Sequence, residues 1–495
     1  MSHKPTSQLN TKLEWHFSQS ALETMAGLWR GTVLQELHIE RLTTRSLVGN
    51  VYWAKITRVL PGLGAAFVDM GCVQGSPMVG FLQLQEVIDL KTLQRPEKIT
   101  DVLREGQQLL VQVMKDPVGD KGPKVSMQVA LAGRYAVFSP HRTEHGLSQK
   151  ITDPQVRAQL LDWCARSPAG AYIMRTAAQG VDEATWKRSV AALHARWEEI
   201  QDAIPNLNGP ACVYQEPNLA LRLFRDSVLS DMHRVVVDDA ALYAALQDYA
   251  VTESPELSSK LVLLSGAERL VARRALWAAG RAITTPEVTL PSGGKIVLQK
   301  TEALWVIDVN TGAFVGKRQV GATLLKTNLE AATALAAQIR LRNCAGVIVV
   351  DFIDMEHAED RETLMTHLTQ AVRSDPQKVQ VYPMTELGLV QLVRRRVREP
   401  LDAALMDSCA HCQGRGLVTA PEAVCYELLH TIAEEQESEP EPPKSYRVRV
   451  HPTTYVWIQR HLNELQKAAQ QRWQVTLTFV ADPQCRIDDT VLLYG

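Results

Sequence analysis

The sequence predicts a multidomain α/β protein, and three observations lead to this prediction. The chain has 495 residues, enough for several domains that each bury their own core. Between residues 49 and 127, short alternating apolar runs are broken by glycines, a pattern typical of a small closed barrel of strands. Residues 305–312 and 346–355 carry apolar runs, and apolar residues recur at helical spacing between them, which predicts a strand, a helix and a second strand.

Composition and charge narrow the class of protein. A hydrophobic content of 45% and a charged content of 22% are ordinary for a soluble globular protein. The net charge of −2 indicates no overall preference for nucleic acid, so any such surface must come from local basic patches. The first residues lack the apolar core of a signal peptide, and no apolar run could span a bilayer. The eight cysteines do not form a disulfide framework, so we expect a cytoplasmic protein.

In chain order, residues 32–41 alternate well enough for an antiparallel strand, and the barrel pattern follows. Three barrel aromatics, Tyr52, Phe67 and Phe81, lie among basic residues. These are Lys55, Arg58, Lys115, Lys121 and Lys124. Aromatic faces beside cations hold single-stranded nucleic acid, because bases stack on the rings while the cations pair with phosphates. Taken alone, an aromatic residue in a small barrel is more often part of the core.

Residues 128–217 contain an apolar strand that ends at Arg175, with Thr176 directly after it. A guanidinium offers a planar fork of donors and the hydroxyl adds another, so the pair suits a phosphate. From local sequence alone, an exposed arginine in a salt bridge is the simpler interpretation. The next helix carries an apolar stripe that predicts a packing face. Residues 218–284 indicate a helical, structural segment.

Asp308 and Asp351 each end one of the two apolar runs of the α/β part. A helical crossover returns the second strand parallel to the first, so both aspartates should lie at the carboxyl edge of the sheet, where ligands bind. Two carboxylates there repel each other unless a cation lies between them, and such oxygen ligands suit Mg²⁺. Asn310 faces the same side as Asp308 and can orient that carboxylate. The simpler alternative is that Asp308 caps the following turn.

Two further acidic residues and a set of basic residues lie in or near this strand–helix–strand segment of the sequence. Glu302 shares the strand parity of Asp308 but lies six residues away. Asp354 would point to the opposite face from Asp351. We therefore predict neither Glu302 nor Asp354 as a metal ligand. A track of cations for a phosphate backbone is a hypothesis, although such runs are usually solvated faces. Its members would be Lys317, Arg318, Lys326, Arg340, Arg342, Arg394, Arg395, Arg396 and Arg398.

Cys409 and Cys412 form a CxxC motif followed by small residues, which predicts half of a zinc knuckle. Zinc prefers four ligands and the chain has no second CxxC, so the other two should come from a second copy of the protein. His411 with Cys425 could instead complete a site within one chain, but Cys425 falls in a helical pattern. A redox CxxC is the competing interpretation, and no thioredoxin-like context supports it. Residues 434–443 are acidic and rich in proline, which predicts a linker or exposed loop.

Several of these stretches together resemble the ribonuclease E/G family. The matching pieces are residues 308–316, 327–331, 340–343 and 350–355, and similar pieces run from about residue 31 to the CxxC segment. Separate motifs in the same order are far more specific than any one of them. The resemblance implies an OB-type RNA-binding barrel inserted in an RNase H-like subdomain, a 5′-sensor region, a DNase I-like catalytic α/β domain, a zinc link and a small C-terminal α/β domain.

The resemblance also sets expected domain bounds. The RNase H-like subdomain takes residues 1–41 and 218–284, and the barrel at 42–127 and the 5′-end sensor region at 128–217 lie between its two parts. The catalytic domain takes residues 285–405. The zinc link and the C-terminal domain follow at 406–417 and 418–495.

Roles for individual residues follow from the same resemblance. Arg175 and Thr176 would form the sensor of a 5′-monophosphate end, and Gln149 stands where family members often carry a basic residue. Tyr52 is expected in the barrel core. The RNA-binding residues of the barrel would be Phe67, Phe81, Lys115 and Lys121.

The implied activity is that of a Mg²⁺-dependent endoribonuclease on single-stranded RNA, active in rRNA processing and mRNA decay and stimulated by a 5′-monophosphate end. Asp308 and Asp351, with Asn310 orienting Asp308, would hold Mg²⁺, which lowers the pKa of a water. The resulting hydroxide would attack phosphorus in line and leave a 5′-phosphate and a 3′-hydroxyl. Cys409 and Cys412 would hold a structural Zn²⁺ shared between protomers, which predicts a homodimer or a larger assembly.

Two rival functions remain open from the sequence. One is a non-catalytic RNA-binding or assembly factor, and the other is a metal-dependent phosphodiesterase that acts on a small substrate. DNA is not an expected substrate. Because no long low-complexity extension follows the last strand-like run, we expect the shorter type of family member.

Overall fold

The fold is that of a computed structural model, which describes residues 12–117, 121–227, 232–312, 320–396, 400–412, 414–487 and 490–494. The chain divides into two compact units, Met1–Leu405 and Met406–Gly495. The first unit begins with three antiparallel strands. They are β1 (Leu13–Gln19), β2 (Glu23–Arg30) and β3 (Val33–Arg41).

A closed barrel follows these strands. Its strands are β4 (Val51–Leu60), β5 (Ala65–Val73), β6 (Ser76–Gln83), β7 (Gln108–Lys115) and β8 (Lys124–Ser126). They are hydrogen-bonded in the order β4-β5-β6-β8-β7, and β7 pairs back with β4 to close the sheet. Tyr52 is 3% exposed and belongs to the barrel core, as predicted. The prediction of a small closed barrel is therefore confirmed.

The next segment forms a small sheet packed against two helices. It comprises β9 (Leu131–Ala132), β10 (Ala136–Ser139), β11 (Gly146–Leu147), α1 (Pro154–Ala165), β12 (Ala171–Met174), α2 (Glu183–Ala203) and β13 (Ala211–Tyr214). The sheet order is β11-β12-β10-β9. Trp186, Leu193 and Trp197 of α2 are buried against it, in agreement with the predicted packing face. β13 instead pairs with β4 of the barrel, so the barrel sheet takes a strand from beyond residue 127.

The chain then returns to the first sheet. The elements are α3 (Leu219–Ser227), β14 (Met232–Val237), α4 (Ala240–Glu253), α5 (Pro255–Ser258), β15 (Leu261–Leu263) and α6 (Gly266–Ile283). β14 lies parallel to β1, which gives the order β15-β14-β1-β2-β3. The expectation of an all-helical segment is wrong here, because the run Val235-Val236-Val237 forms a buried central strand, as β-branched residues favour.

A six-stranded mixed sheet completes the first unit. Its elements are β16 (Glu287–Thr289), β17 (Lys295–Lys300), β18 (Trp305–Asn310), α7 (Val320–Leu341), β19 (Gly346–Asp351), α8 (Ala358–Ala371), β20 (Val379–Val381), β21 (Leu389–Arg394) and α9 (Leu401–Leu405). The order is β16-β17-β18-β19-β21-β20, and only β18 and β19 pair in parallel among the described strands of this sheet. Apolar residues of β18, β19 and β21 pack on α7 and α8 in one core.

The second unit is a small α/β domain. It contains α10 (Pro421–Ser438), β22 (Ser445–Val450), α11 (Pro452–Trp473), β23 (Thr476–Ala481) and β24 (Thr490–Tyr494), with strand order β23-β22-β24. The predicted loop at 434–443 is wrong in its first half, because α10 continues to Ser438 through glutamates and a glutamine that favour helix. Across the described residues of the chain, no helix is long and apolar enough to cross a membrane.

Candidate functional site

The two predicted aspartates meet at one edge of the six-stranded sheet. Asp308 of β18 and Asp351 of β19 are direct partners in the parallel register, and both are exposed. Their neighbours Ile307, Val309 and Val350 are buried, so strand alternation turns the two carboxyl groups to the open face. Adjacent strands lie about 4.8 Å apart, which brings two negative charges side by side.

Asn310 fixes the position of one carboxylate. Its side-chain amide donates to Oδ2 of Asp308 at 2.6 Å, the contact that strand parity predicts. In the described part of the chain, no group of three or more His, Cys, Asp or Glu side chains could hold a metal ion. The residues present nevertheless fit Mg²⁺, which commonly takes one or two protein carboxylates and completes its shell with water and substrate oxygens.

Buried polar contacts hold the loops that flank the two aspartates. Asn328 of α7 is 0% exposed; its amide donates to the carbonyl of Ile353 at 2.8 Å and its oxygen accepts from the same residue's N–H at 3.1 Å. Glu330 accepts from the N–H of Ser292 at 2.7 Å. Sequence reasoning missed the role of Asn328, although a polar residue in the apolar stripe of a helix could have indicated it.

Glycine permits the close approach of the two turns beside the site. A Cβ atom on Gly312 would lie 2.5 Å from the carbonyl oxygen of Gly293, so no larger residue fits at position 312 without displacement. The turn before β17 therefore packs directly on the segment that follows Asn310. This contact fixes the chain where it leaves the carboxylate edge.

The two other acids of this region, Glu302 and Asp354, lie outside the paired strand positions of Asp308 and Asp351. Glu302 precedes β18 and is at the opposite end of that strand from Asn310. Asp354 lies in the loop after β19 and lines a shallow groove of about 410 Å³ with Met384, Glu386 and other residues. The choice of Asp308 and Asp351 over Glu302 and Asp354 as metal ligands stays a prediction.

The predicted cation track is wrong for three of its members, which have structural partners. Arg340 and Arg342 donate to the backbone oxygens of Gln35 in β3 at 3.1 Å and of Ile283 in α6 at 2.7 Å, so both guanidinium groups hold the end of α7 against the preceding part of the unit. Arg394 is 3% exposed in an ion pair with a carboxylate. Exposed cations remain at Lys326, Arg395 and Arg396. Lys317, Arg318 and Arg398 lie outside the described residues.

A row of cations and aromatic rings crosses the outer face of the barrel. Successive register partners on β4, β5, β6, β8 and β7 are Arg58, Phe67, Phe81, Lys124 and Lys115. The ring centroids of the central aromatic pair lie 5.8 Å apart, and one ring is 37% exposed. We call this set the barrel row. It offers two aromatic surfaces flanked by positive charge, as a single strand of nucleic acid requires.

Two lysines near the barrel row differ in their surroundings. Lys124 forms a 2.9 Å ion pair with Glu86, so its charge is partly neutralised, while Lys115 is exposed. Lys121 is also exposed, and it precedes Gly122, where a Cβ atom would lie 1.9 Å from the Val79 carbonyl oxygen. Only glycine allows the segment that carries Lys121 to lie this close to β6.

Arg175 and Thr176 follow β12, where β11 lies parallel to it. The Thr176 hydroxyl is 3.0 Å from that of Ser148, and the N–H of Ser148 donates to the carbonyl of Met174 at 2.8 Å. The pairing of β11 and β12 thus places residues 148–150 beside the Arg-Thr pair. Nη1 of Arg175 donates to Asp226 at 2.5 Å, so the salt bridge that local sequence favoured is present.

The CxxC motif lies in a tight turn of the second unit. Backbone N–H groups of Cys412 and His411 donate to the Cys409 sulfur and hold the pKa of that thiol below its ordinary value. Two cysteine sulfurs in one tight turn are a donor set that suits zinc. Cys425 is 1% exposed in the core of this unit, and burial raises the pKa of its thiol to about 11, which argues against an intrachain site with His411.

These features define a multidomain α/β protein with a candidate metal site at a sheet edge and a separate aromatic and basic surface on a barrel. Residues 130–397 match the sequence profile of the Ribonuclease E/G family. Ribonuclease G of Haemophilus influenzae is 35% identical over 419 residues, which cover 83% of this chain and 85% of that protein. The chain therefore belongs to the ribonuclease E/G family, as the motifs predicted.

Two relatives from Escherichia coli K12 show how the similarity is distributed. Ribonuclease G is 36% identical over 422 residues, which cover 83% of this chain and 85% of that protein. Ribonuclease E is 34% identical over 425 residues, again 83% of this chain but 39% of that protein. The chain thus resembles ribonuclease G over most of the length of both proteins.

Proposed function

We propose that the protein is a Mg²⁺-dependent endoribonuclease that cleaves single-stranded RNA in rRNA processing and mRNA decay. The observation that carries this proposal is the register pairing of Asp308 with Asp351, together with the 2.6 Å hydrogen bond from Asn310. Family membership supports RNA as the substrate, since the relatives are ribonucleases by name. The products would carry a 5′-phosphate and a 3′-hydroxyl.

The protein's own residues would position the reacting groups. Asp308 and Asp351 would hold Mg²⁺ on the open face of the sheet, and Asn310 would keep the first carboxylate from rotating away. Bound Mg²⁺ supplies a Lewis acid that lowers the pKa of water and stabilises the charge that develops on the phosphate. Asn328 and Glu330 would keep the flanking loops in place during turnover.

RNA binding and end sensing would use the other two surfaces. Bases would stack on Phe67 and Phe81 of the barrel row, and Lys115 and Lys121 would pair with phosphates. Arg175 and Thr176 would bind a 5′-monophosphate, so that RNA with this end would be cleaved faster. The neighbouring rings of Phe67, which is exposed, and Phe81, with the placement of residues 148–150 beside the Arg-Thr pair, support these assignments.

One assay distinguishes this activity from its rivals. Purified protein is incubated with a short 5′-labelled single-stranded oligoribonucleotide, with and without Mg²⁺, beside the variants Asp308→Asn and Asp202→Asn. Asp202 is exposed on α2 and serves as a matched control. We expect Mg²⁺-dependent cleavage by the wild type and the control only. Binding without cleavage would favour the RNA-binding factor, and turnover of bis(4-nitrophenyl) phosphate without cleavage of RNA would favour the small-substrate phosphodiesterase.

We further propose that Cys409 and Cys412 hold half of a Zn²⁺ site that a second protomer completes, so the enzyme acts as a homodimer or larger assembly. Metal analysis should then give about half a zinc per chain, because a structural site requires four ligands. Cys409→Ser should convert the dimer to a monomer in sedimentation, whereas Cys72→Ser, at another exposed cysteine, should not. One full zinc per chain in a monomer would contradict the shared site.

A further inference from the structure

Asp226 lies beside the proposed 5′-end sensor and contacts it directly. Its Oδ1 accepts from Nη1 of Arg175 at 2.5 Å, and the same nitrogen donates to the carbonyl of Gly133 at 2.9 Å. The two side chains are 28% and 32% exposed, so the pair is partly buried and not in open solvent. Both hydrogens of Nη1 are thus engaged by the protein.

The carboxylate of Asp226 is itself held from behind by Arg225. Nε and Nη2 of Arg225 donate to Oδ1 at 2.8 Å and Oδ2 at 3.0 Å, a planar two-point contact. Arg225 is 6% exposed, and its Nη1 donates to the carbonyl of Ala132 at 3.0 Å and lies 2.9 Å from Glu216. Because Arg225 is anchored in this way, Asp226 cannot swing away when a ligand approaches.

The direction of the pKa shift of Asp226 agrees with this geometry. Burial acts to raise the pKa of Asp226, but the hydrogen bonds and charge of Arg225, and then of Arg175, outweigh it and hold the pKa below its ordinary value. The carboxyl group is therefore ionised at neutral pH. An ionised and immobile carboxylate is a fixed point against which a flexible arginine can be oriented.

The rest of the Arg175 guanidinium is left for a ligand. Among the described residues, its side-chain hydrogen bonds use Nη1 alone, while Nε and Nη2 form the edge that binds a phosphate at two points. We infer that Asp226 is a positioning residue, which holds Arg175 so that this edge faces the terminal phosphate monoester of RNA. The inference rests on the proposed sensor and assigns it an orienting carboxylate.

A competing arrangement would have Asp226 occupy the place of the phosphate in the free protein. The immobility of Asp226 and the use of Nη1 alone favour positioning over competition. The two arrangements predict opposite results on loss of the carboxylate charge. Without an orienting partner the arginine binds the phosphate less well, whereas without a competitor it binds the phosphate better.

The test compares kcat/KM on two oligoribonucleotides of one sequence, one with a 5′-monophosphate and one with a 5′-hydroxyl. Asp226→Asn should lower the ratio of the two values at least fivefold, and Asp226→Glu, which keeps the charge but displaces it, should lower it less. Asp162→Asn is the matched control, because Asp162 forms an exposed ion pair with Arg166 on α1. The double variant Arg175→Ala, Asp226→Asn should have the same ratio as Arg175→Ala alone.

Each other outcome overturns the inference. A ratio that rises in Asp226→Asn would show competition, and an equal loss on both RNAs in both Asp226 variants would show a purely structural role. A wild-type preference that Asp226→Asn leaves unchanged would refute the positioning role alone. A wild type without any preference between the two ends would refute the proposed sensor, and the positioning role with it.

Discussion

The two ends of the six-stranded sheet differ in whether their charged side chains have partners of opposite charge. At the amino end of β19, Arg394 is 3% exposed, and its guanidinium donates to both oxygens of Asp375 at 2.9 and 3.1 Å. Nη1 of Arg394 also donates to Oδ1 of Asn343 at 2.9 Å. At the carboxyl end, Asp308 and Asp351 face each other exposed, and no ion pair to either carboxylate is found within the described ranges.

This difference separates a structural cluster from a candidate binding site. A buried charge is tolerated only when a partner and hydrogen bonds offset its desolvation, and the pair of Arg394 with Asp375 meets that condition. Two like charges on neighbouring strands destabilise the sheet, and the described fold gains nothing from them. When a fold holds two like charges side by side without a protein group of opposite charge between them, the arrangement indicates a ligand of opposite charge.

The largest expected effect is the loss of cleavage in Asp308→Asn or Asp351→Asn. Either change removes a proposed metal ligand, so kcat/KM should fall by roughly a thousandfold, or about 4 kcal/mol of transition-state stabilisation. RNA should still bind, because the barrel row is unaltered. The measurement is single-turnover cleavage beside a binding titration.

The same two variants test whether the carboxylate pair strains the fold. Removing one of two facing negative charges should leave the free energy of unfolding unchanged or raise it by up to about 1 kcal/mol. Chemical denaturation of the apo protein measures this quantity. Near-normal turnover at saturating Mg²⁺, or a marked loss of stability, would contradict the assignment of this end of the sheet to chemistry.

At the amino end of β19, removing a charged side chain should lower the stability of the fold. Arg394→Ala leaves the carboxylate of Asp375 buried without its partner, so the unit that contains the six-stranded sheet should lose about 3–5 kcal/mol of stability. Replacing both residues, with Arg394→Met and Asp375→Leu, should recover much of that loss, because an apolar pair of similar size needs no compensation. A shift of the denaturation midpoint measures both effects, and Arg395→Ala, at an exposed neighbour, is the control.

The sequence predicts one end of this sheet well and the other poorly, for a physical reason. Alternation along β18 and the parallel crossover depend on neighbouring residues, so the placement of Asp308 beside Asp351 can be read from the chain. The partner of Arg394 lies 19 residues away and that of Arg340 lies 305 residues away, and no local pattern reports such contacts. One local signal was available, because Arg394 shares strand parity with the buried Leu392.

A smaller effect is expected when the orienting amide is removed. Asn310→Ala leaves both carboxylates in place but frees Asp308 to rotate, so kcat/KM should fall about 10- to 100-fold, the usual cost of losing a residue that orients a metal ligand. The loss should be partly recovered at high Mg²⁺, which a titration of rate against Mg²⁺ would show. Asn206→Ala, at an exposed residue beyond α2, should change neither quantity.

The proposed sensor lies between the buried ion pair and the exposed carboxylates, because Arg175 is paired with Asp226 and yet its side chain is 28% exposed. If matching alone marked a structural role, Arg175→Ala would lower stability and affect all RNAs alike. We expect instead that Asp226 stays paired with Arg225 and that the fold is kept. The preference for a 5′-monophosphate should fall at least tenfold, because one charge-assisted hydrogen bond is worth about 1.5–3 kcal/mol and the proposed contact has two. Initial rates on 5′-monophosphate, 5′-hydroxyl and 5′-triphosphate forms of one RNA measure this preference, with Arg188→Ala on the exposed face of α2 as the control.

Equal rates on the three ends in the wild type would place Arg175 with Arg394 among the structural arginines. A selective loss would show that a matched charge at a surface can still serve a ligand, provided that its partner binds one edge of the guanidinium and leaves the other open.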